Sequence, residues 1–96
     1  MNSQKNQRHE ERVNVSLPVR LGKGKGLTRD VSASGVSFEI DTSYALGSEI
    51  SFVIEVQASD QKMLMKCKGT IVRTDDHGTK KGVAVKITES VLEAAH

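Results

Sequence analysis

The stretch Ile50-Ser51-Phe52-Val53-Ile54-Glu55-Val56 decides the fold, because a large apolar residue occupies every second position. Alternate side chains of a β-strand point to the same face, so this pattern predicts a half-buried strand. The same alternation recurs in residues 13–21, 27–31, 36–40, 63–71 and 83–87 of the 96-residue chain. Parallel pairing would need crossover connections, and no long helical pattern separates these segments. We therefore predict an all-β fold, a six-stranded antiparallel β-barrel.

Turn-forming residues separate the predicted strands. Clusters containing Gly, Ser, Asp or Thr lie at residues 22–26, 32–35, 41–48, 58–61 and 74–80. Pro18 lacks an N–H and predicts an edge position or a bulge, and Gly69 predicts a bulge or a packing gap. After residue 87, the spacing of Val91, Leu92 and Ala95 predicts a short C-terminal helix docked on the barrel.

The first residues differ from the rest in composition. Residues 2–7 contain no large apolar group, so they have nothing to anchor in a core. We therefore divide the chain into a flexible N-terminal tail, residues 1–12, and a barrel domain, residues 13–96.

Charge and cysteine content narrow the class of protein. The chain has 14 Lys+Arg and 12 Asp+Glu, a formal net charge of +2, far from the basicity of a general nucleic-acid binder. Its single cysteine, Cys67, excludes an intramolecular disulfide, and no apolar run approaches the ~18 residues that span a bilayer. We expect a cytoplasmic protein that does not insert into a membrane.

The three histidines do not suggest an active site. His9, His77 and His96 fall in the tail, in a predicted turn and at the C-terminus. They have neither the spacing of metal ligands nor a nucleophile beside them. We therefore expect no enzyme activity, no metal and no cofactor.

Two short motifs carry the binding chemistry. Arg8 and Arg12 are four residues apart, a spacing that puts both side chains on one face of a helix or of a strand. The second motif, Asp30-Val31-Ser32-Ala33-Ser34-Gly35, stands at the end of a predicted strand. An arginine fork matches phosphate oxygens and the O6/N7 edge of guanine, whereas a carboxylate accepts from the N1–H and amine of the opposite edge. Ser32 can donate to a phosphate, and Gly35 permits a positive φ or a close backbone approach.

Either motif alone is ordinary. An isolated Arg-x-x-x-Arg is usually a solvated charged tail, and an isolated Asp or Ser motif is usually a turn that bonds to its own backbone. Found together and in this order, the two predict a site that grips a guanine nucleotide.

The chain resembles the PilZ domain family, receptors for the bacterial second messenger cyclic di-GMP. The family pattern is Arg-x-x-x-Arg followed by Asp or Asn-x-Ser-x-x-Gly, and this sequence has all five residues. Ile71-Val72-Arg73 and Gly82-Val83-Ala84-Val85 also resemble the closing strand pair of the family. Members often carry an aromatic residue where Val85 stands, a difference in packing that touches no ligand group.

The resemblance implies a role for each motif residue. It implies that Arg8 and Arg12 contact guanine and phosphates, and that their segment closes over the ligand. Asp30 and Ser32 would form the opposite wall, with Gly35 holding the turn. The position before the first arginine influences whether one or two ligands bind, and here it is Gln7. The implied set of ligand-binding residues is Gln7, Arg8, Arg12, Asp30, Ser32, Ser34, Gly35 and Arg73.

Two alternatives remain at this stage. A PilZ-like adaptor could bind a protein without nucleotide, although such an adaptor should have lost some of the five motif residues. A small nucleic-acid-binding barrel would need stacking platforms, and the only aromatic residues are Phe38, Tyr44 and Phe52. We therefore expect cyclic di-GMP and a downstream effector protein as partners, and no nucleic acid.

Overall fold

A computed structural model of the chain describes residues 12–22 and 24–95, with only the backbone of His77. The described residues form seven β-strands: β1 (Val13–Asn14), β2 (Pro18–Leu21), β3 (Lys25–Val31), β4 (Gly35–Ile40), β5 (Glu49–Ala58), β6 (Gln61–His77) and β7 (Lys80–Ala94). No helix occurs in this part of the chain, so none that could span a membrane is found there.

Six of the strands close into a barrel. Their order is β3-β2-β5-β6-β7-β4, every neighbouring pair is antiparallel, and β3 also pairs with β4 to complete the ring. The short β1 adds to the far end of β3, where Val13 pairs with Val31 and Asn14 with Asp30. The predicted six-stranded antiparallel barrel is therefore confirmed, with one extra strand.

The strand predicted for residues 13–21 is interrupted between β1 and β2. The hydroxyl of buried Thr28 on β3 fills the interruption, since Thr28 Oγ1 accepts from the Leu17 N–H at 2.8 Å and donates to the Val15 carbonyl. The Thr28 N–H also donates to the Leu17 carbonyl at 2.9 Å. Pro18, which has no N–H to donate, is the first residue of β2.

The alternating residues fill the barrel. The buried apolar side chains are Val19, Val36, Phe38, Ile40, Phe52, Ile54, Cys67, Ile71, Val83 and Val85. The rings of Phe38 and Phe52 pack with their centroids 5.4 Å apart in a tilted arrangement. Burial also raises the pKa of the Cys67 thiol to about 11, because the core disfavours the charged thiolate.

The prediction of a C-terminal helix is wrong, because β7 continues as a strand through Ala94. Residues 89–94 pair with residues 63–68 of β6, so β6 supplies backbone partners that an isolated helix of about two turns would lack. Residues 61–68 of β6 also pair with residues 51–58 of β5, so the region around Val91 and Leu92 forms the edge of a three-stranded sheet. We call the two outer segments of this sheet, residues 61–68 and 88–94, the β6–β7 extension.

Gly69 marks the base of the extension. The register of β6 against β7 shifts between Lys68 and Gly69, which confirms the predicted bulge. A Cβ at Gly69 would lie 2.4 Å from the Lys86 carbonyl oxygen, so only glycine lets the two strands approach this closely.

Candidate ligand-binding groove

Arg12 lies against the end of β3. The β1–β3 register, extended by one residue, sets Arg12 opposite Ser32. The guanidinium donates to Asp30 Oδ1 from Nε at 3.0 Å and from Nη2 at 2.5 Å, and Nη1 lies 3.5 Å from Ser32 Oγ. One arginine thus touches both polar residues of the second motif.

The turn between β3 and β4 is held by Ser32 and Gly35. The Ser32 N–H donates to the Gly35 carbonyl at 2.8 Å, and Ser32 Oγ donates to the same oxygen at 3.2 Å. Gly35 does not have a positive φ, which in the described residues is confined to Gly47, Ser59 and Gly78. A Cβ at Gly35 would lie 3.0 Å from the Val85 carbonyl oxygen, so a side chain here would require β7 to move by a few tenths of an ångström.

A groove of about 360 Å³ opens between this turn and strands β6 and β7. Its lining comprises Arg12, Asp30, Ser34, Gly35, Val36, Ser37, Val72, Arg73, Ala84, Val85 and Lys86. Three cationic side chains and one carboxylate therefore surround a single opening. Such a groove suits a ligand that carries more than one negative charge.

A bulge in β6 brings Arg73 to the groove. Ile71 pairs with Val85 and Arg73 with Ala84, so Val72 is an extra residue opposite β7. Bulges re-aim the side chains around them, and here Val72 and Arg73 both line the groove. Arg73 Nε lies 3.8 Å from Asp75 Oδ2, and both side chains are largely exposed, so this contact restrains Arg73 only weakly.

Lys86 lines the groove and was not among the predicted site residues. Lys86 pairs with Gly35 across β4 and β7, which brings it beside the second motif. It takes part in no ion pair with another residue of the described ranges. No sequence signal singles out Lys86, because a lysine alternating with apolar residues is typical of any exposed strand.

The structure brings six of the eight predicted site residues together. Arg12, Asp30, Ser34, Gly35 and Arg73 line the groove, and Ser32 is buried directly behind them, at 8% exposure. Gln7 and Arg8 lie outside the described residues.

A family model of the PilZ domain matches residues 6–95 of the chain. The chain belongs to the PilZ domain family. The resemblance drawn from the two motifs is thereby confirmed. PilZ domains are receptors for cyclic di-GMP, that is, regulatory binding domains and not enzymes.

The fold of this PilZ domain is similar to that of a solved structure, the Bacillus subtilis inhibitor of motility MotI/DgrA. The TM-score is 0.77 at 15% sequence identity, a level at which the likeness concerns the fold alone. The match covers 88% of this chain and 44% of that chain, so this PilZ domain spans less than half the length of MotI/DgrA. No curated protein matches the sequence.

Proposed function

We propose that this PilZ domain binds cyclic di-GMP in the groove between the β3–β4 turn and strands β6 and β7. The observation that carries the proposal is the convergence of Arg12, Arg73 and Lys86 with the Asp30 carboxylate around one opening. Cyclic di-GMP carries two phosphate charges and two guanine bases, so it needs cationic groups for the former and an acceptor for the guanine donors. The groove offers both.

Asp30 is the guanine acceptor in this proposal. Both donations from Arg12 reach Oδ1, and Oδ2 accepts no hydrogen bond from another residue in the described ranges. Each carboxylate oxygen can accept two hydrogen bonds, so Asp30 can bind the N1–H and amine of guanine while it keeps Arg12 nearby. Adenine has no N1–H donor, and Asp30 therefore favours guanine.

Arg12 and Lys86 are the phosphate contacts in this proposal, since both cationic side chains line the groove. The Arg12–Asp30 pair is partly exposed, with side chains 52% and 25% accessible, and such pairs contribute only about 0.2–1 kcal/mol. The ligand can therefore draw the Arg12 fork away from Asp30 at small cost. Charge-assisted bonds to phosphate, about 1.5–3 kcal/mol each, exceed that cost.

Closure of the N-terminal segment transmits the signal in this proposal. The groove is open, and Arg12 leads from it into the segment that carries Arg8 and Gln7. Ordering a residue costs roughly 1–2 kcal/mol of backbone entropy, which the contacts of Arg8 with the ligand would offset. The closed segment changes the surface offered to a downstream effector protein, and binding thus acts as a disorder-to-order switch.

The cytoplasm is the location we propose. Cys67 is a free, buried thiol, which fits a reducing compartment.

Calorimetry with the purified 96-residue chain tests ligand identity. We expect saturable heat with cyclic di-GMP and at least tenfold weaker binding of cyclic di-AMP, which offers the same phosphates but no guanine donors to Asp30. Equal affinity for the two would overturn the role of Asp30. No heat at high micromolar cyclic di-GMP would overturn the proposed function and favour the adaptor alternative.

Amide hydrogen exchange tests the closing segment. We expect slower exchange at residues 4–12 when cyclic di-GMP is present, with residues 51–54 of the barrel as the internal control. Binding without any change at residues 4–12 would reject the switch but leave the binding site intact.

A further inference from the structure

Strand β7 has a long unpaired edge. Its neighbour β4 pairs only with Lys81–Lys86, and one further bond runs from the Ile87 N–H to the Ser34 carbonyl. From Glu89 to Ala94, β7 is paired with β6 on one side, and Thr88 is the extra residue at the register shift. No residue of the described ranges pairs with the other side of residues 88–94. A seven-residue strand edge of the β6–β7 extension is therefore open.

The outward hydrogen-bonding groups of this edge can be assigned. The Ala95 N–H donates to the Lys62 carbonyl of β6 at 3.0 Å. Antiparallel strands alternate the side to which successive residues direct their N–H and C=O groups. Glu93 and Val91 therefore also bond to β6, whereas Ser90, Leu92 and Ala94 direct their N–H and C=O groups to the open edge.

The edge has only part of the usual protection against pairing, namely the charges of Glu89 and Glu93 and the bulge at its base. Exposed edges are commonly blunted by proline, by lysine or by short length, and residues 88–94 contain neither proline nor lysine. Leu92 and Val91, on opposite faces of the strand, are 58% and 56% exposed. A strand edge of this length with exposed apolar side chains on both faces is suited to accept another strand.

The sequence of the edge is complementary to itself in one register. An antiparallel two-fold centred on Leu92 sets Leu92 opposite its own copy and Ser90 opposite Ala94. In this register Val91 lies opposite Glu93, and Glu89 lies opposite Ala95, so no like charges meet. The outward residues form three facing pairs of two bonds each, about six hydrogen bonds between the two copies.

The neighbouring register is disfavoured by its charges. A two-fold centred on Val91 would set Glu89 directly opposite Glu93 on both sides of the axis, and like charges in that position are destabilising. A two-fold centred on Ser90 would set Ala94 opposite Lys86, whose outer side is already paired with Gly35, so Ala94 would lose its partner. The Leu92-centred register therefore remains.

We propose that two copies of this protein associate through the open β7 edge, residues 88–94 of one copy pairing antiparallel with residues 88–94 of the other about a two-fold at Leu92. The paired edges then join the two molecules in one continuous sheet of six strands, which are β5, β6 and β7 of each copy. The inference does not rest on the proposed ligand, since none of the residues 88–94 lines the groove.

Sedimentation equilibrium of the 96-residue chain from about 10 μM to about 1 mM is the first test. Interfaces of this small size bind weakly, so we expect a monomer–dimer equilibrium with a Kd in the range of roughly 10 μM to 1 mM. A protein that stays monomeric throughout would overturn the proposal, including the case in which another segment of the same chain covers the edge.

Two substitutions at Leu92 test the register. Leu92→Pro removes an N–H that faces the open edge and none that bonds to β6, so the fold should persist while the Kd rises by at least about tenfold. Leu92→Lys sets two lysines opposite each other and should weaken dimerisation similarly. Val91→Thr is the matched control on the other face, and its Kd should stay within about twofold of wild type.

Circular dichroism of each variant establishes that it is folded. If Leu92→Pro does not fold, Leu92→Lys still decides, because its exposed side chain is the only group changed. A wild-type Kd in both folded Leu92 variants would overturn the proposal.

Amide exchange at low and high protein concentration locates the interface. The amides of Ser90, Leu92 and Ala94 should become protected as concentration rises, whereas those of Val91 and Glu93 should be protected at every concentration. Concentration-dependent protection elsewhere, without change at these three amides, would place the interface on another surface and overturn the assignment.

Discussion

Replacing Arg12 by alanine should separate ligand binding from folding. In the free protein Arg12 makes an ion pair with Asp30 that is 52% exposed on the arginine side, and a 3.5 Å contact with Ser32. Exposed pairs of this kind contribute about 0.2–1 kcal/mol, so Arg12→Ala should lower the free energy of unfolding by less than about 1 kcal/mol. The loss of one charge-assisted bond to the ligand, about 1.5–3 kcal/mol, should raise the Kd for cyclic di-GMP by roughly tenfold to hundredfold.

Urea unfolding and calorimetry measure the two effects on the same samples. Arg20→Ala is the matched control, because Arg20 on β2 also makes a partly exposed ion pair, 3.2 Å from Glu55 Oε2, but does not line the groove. Arg12→Lys keeps the charge without the fork and should retain only part of the affinity. A Kd for Arg12→Ala within twofold of that for Arg20→Ala would refute the assignment of Arg12 to the ligand. A loss of more than about 2 kcal/mol in unfolding free energy would show that Arg12 supports the fold instead.

Three further predictions concern single residues. Lys86→Ala should raise the Kd for cyclic di-GMP at least fivefold, whereas Lys25→Ala on another face should leave it unchanged; equal effects in a calorimetric titration would contradict the role of Lys86. Thr28→Val should lower the unfolding free energy by about 1–3 kcal/mol because it leaves the partly buried Leu17 N–H and Val15 carbonyl without their partner, against less than about 1 kcal/mol for exposed Thr74→Val in the same urea titration. Native Cys67 should resist iodoacetamide at pH 8, because burial raises the pKa of its thiol from 9.0 to about 11, and rapid labelling of folded protein would contradict this. Since the unfolded thiol ionises first, the contribution of Cys67 to stability is complete below about pH 9 and is lost as the pH rises toward 11.

The barrel could be predicted because each strand has a recognisable pattern in its own sequence. Phe38, Phe52 and Ile54 occur in alternating segments and are all buried in the core. Period-two alternation reflects the geometry of a single strand, so it needs no knowledge of the partner strand. The interruption between β1 and β2 was not predictable, because it depends on Thr28, a residue eleven positions from Leu17 in sequence.

The end of the chain shows the limit of periodicity. Val91, Leu92 and Ala95 have spacings that both a helix and a strand can accommodate. In a strand, Val91 and Ala95 share one face and Leu92 lies on the other, and the set is too short to separate the two periods. What decides the outcome is the pairing of residues 63–68 of β6 with this segment. That pairing is a tertiary contact, and it cannot be predicted from the sequence of residues 88–95 alone.

The candidate site also has a part that could be predicted from the sequence and a part that could not. Asp30, Ser32 and Gly35 form a motif within six residues, and the chemistry of Arg12 complements it, so this part could be predicted. Lys86 enters the groove only through its register with Gly35. A residue that is brought to a site by strand pairing has no recognisable motif in the sequence around it.

Thr28 has a mechanical consequence. Its hydroxyl joins the backbone on either side of the interruption, at Val15 and Leu17, to β3. A pull on the N-terminal segment is therefore borne first by β3, two residues from Asp30, before it reaches β2. Strand β3 also holds the ligand motif, so tension in the segment and a bound ligand would act on the same strand.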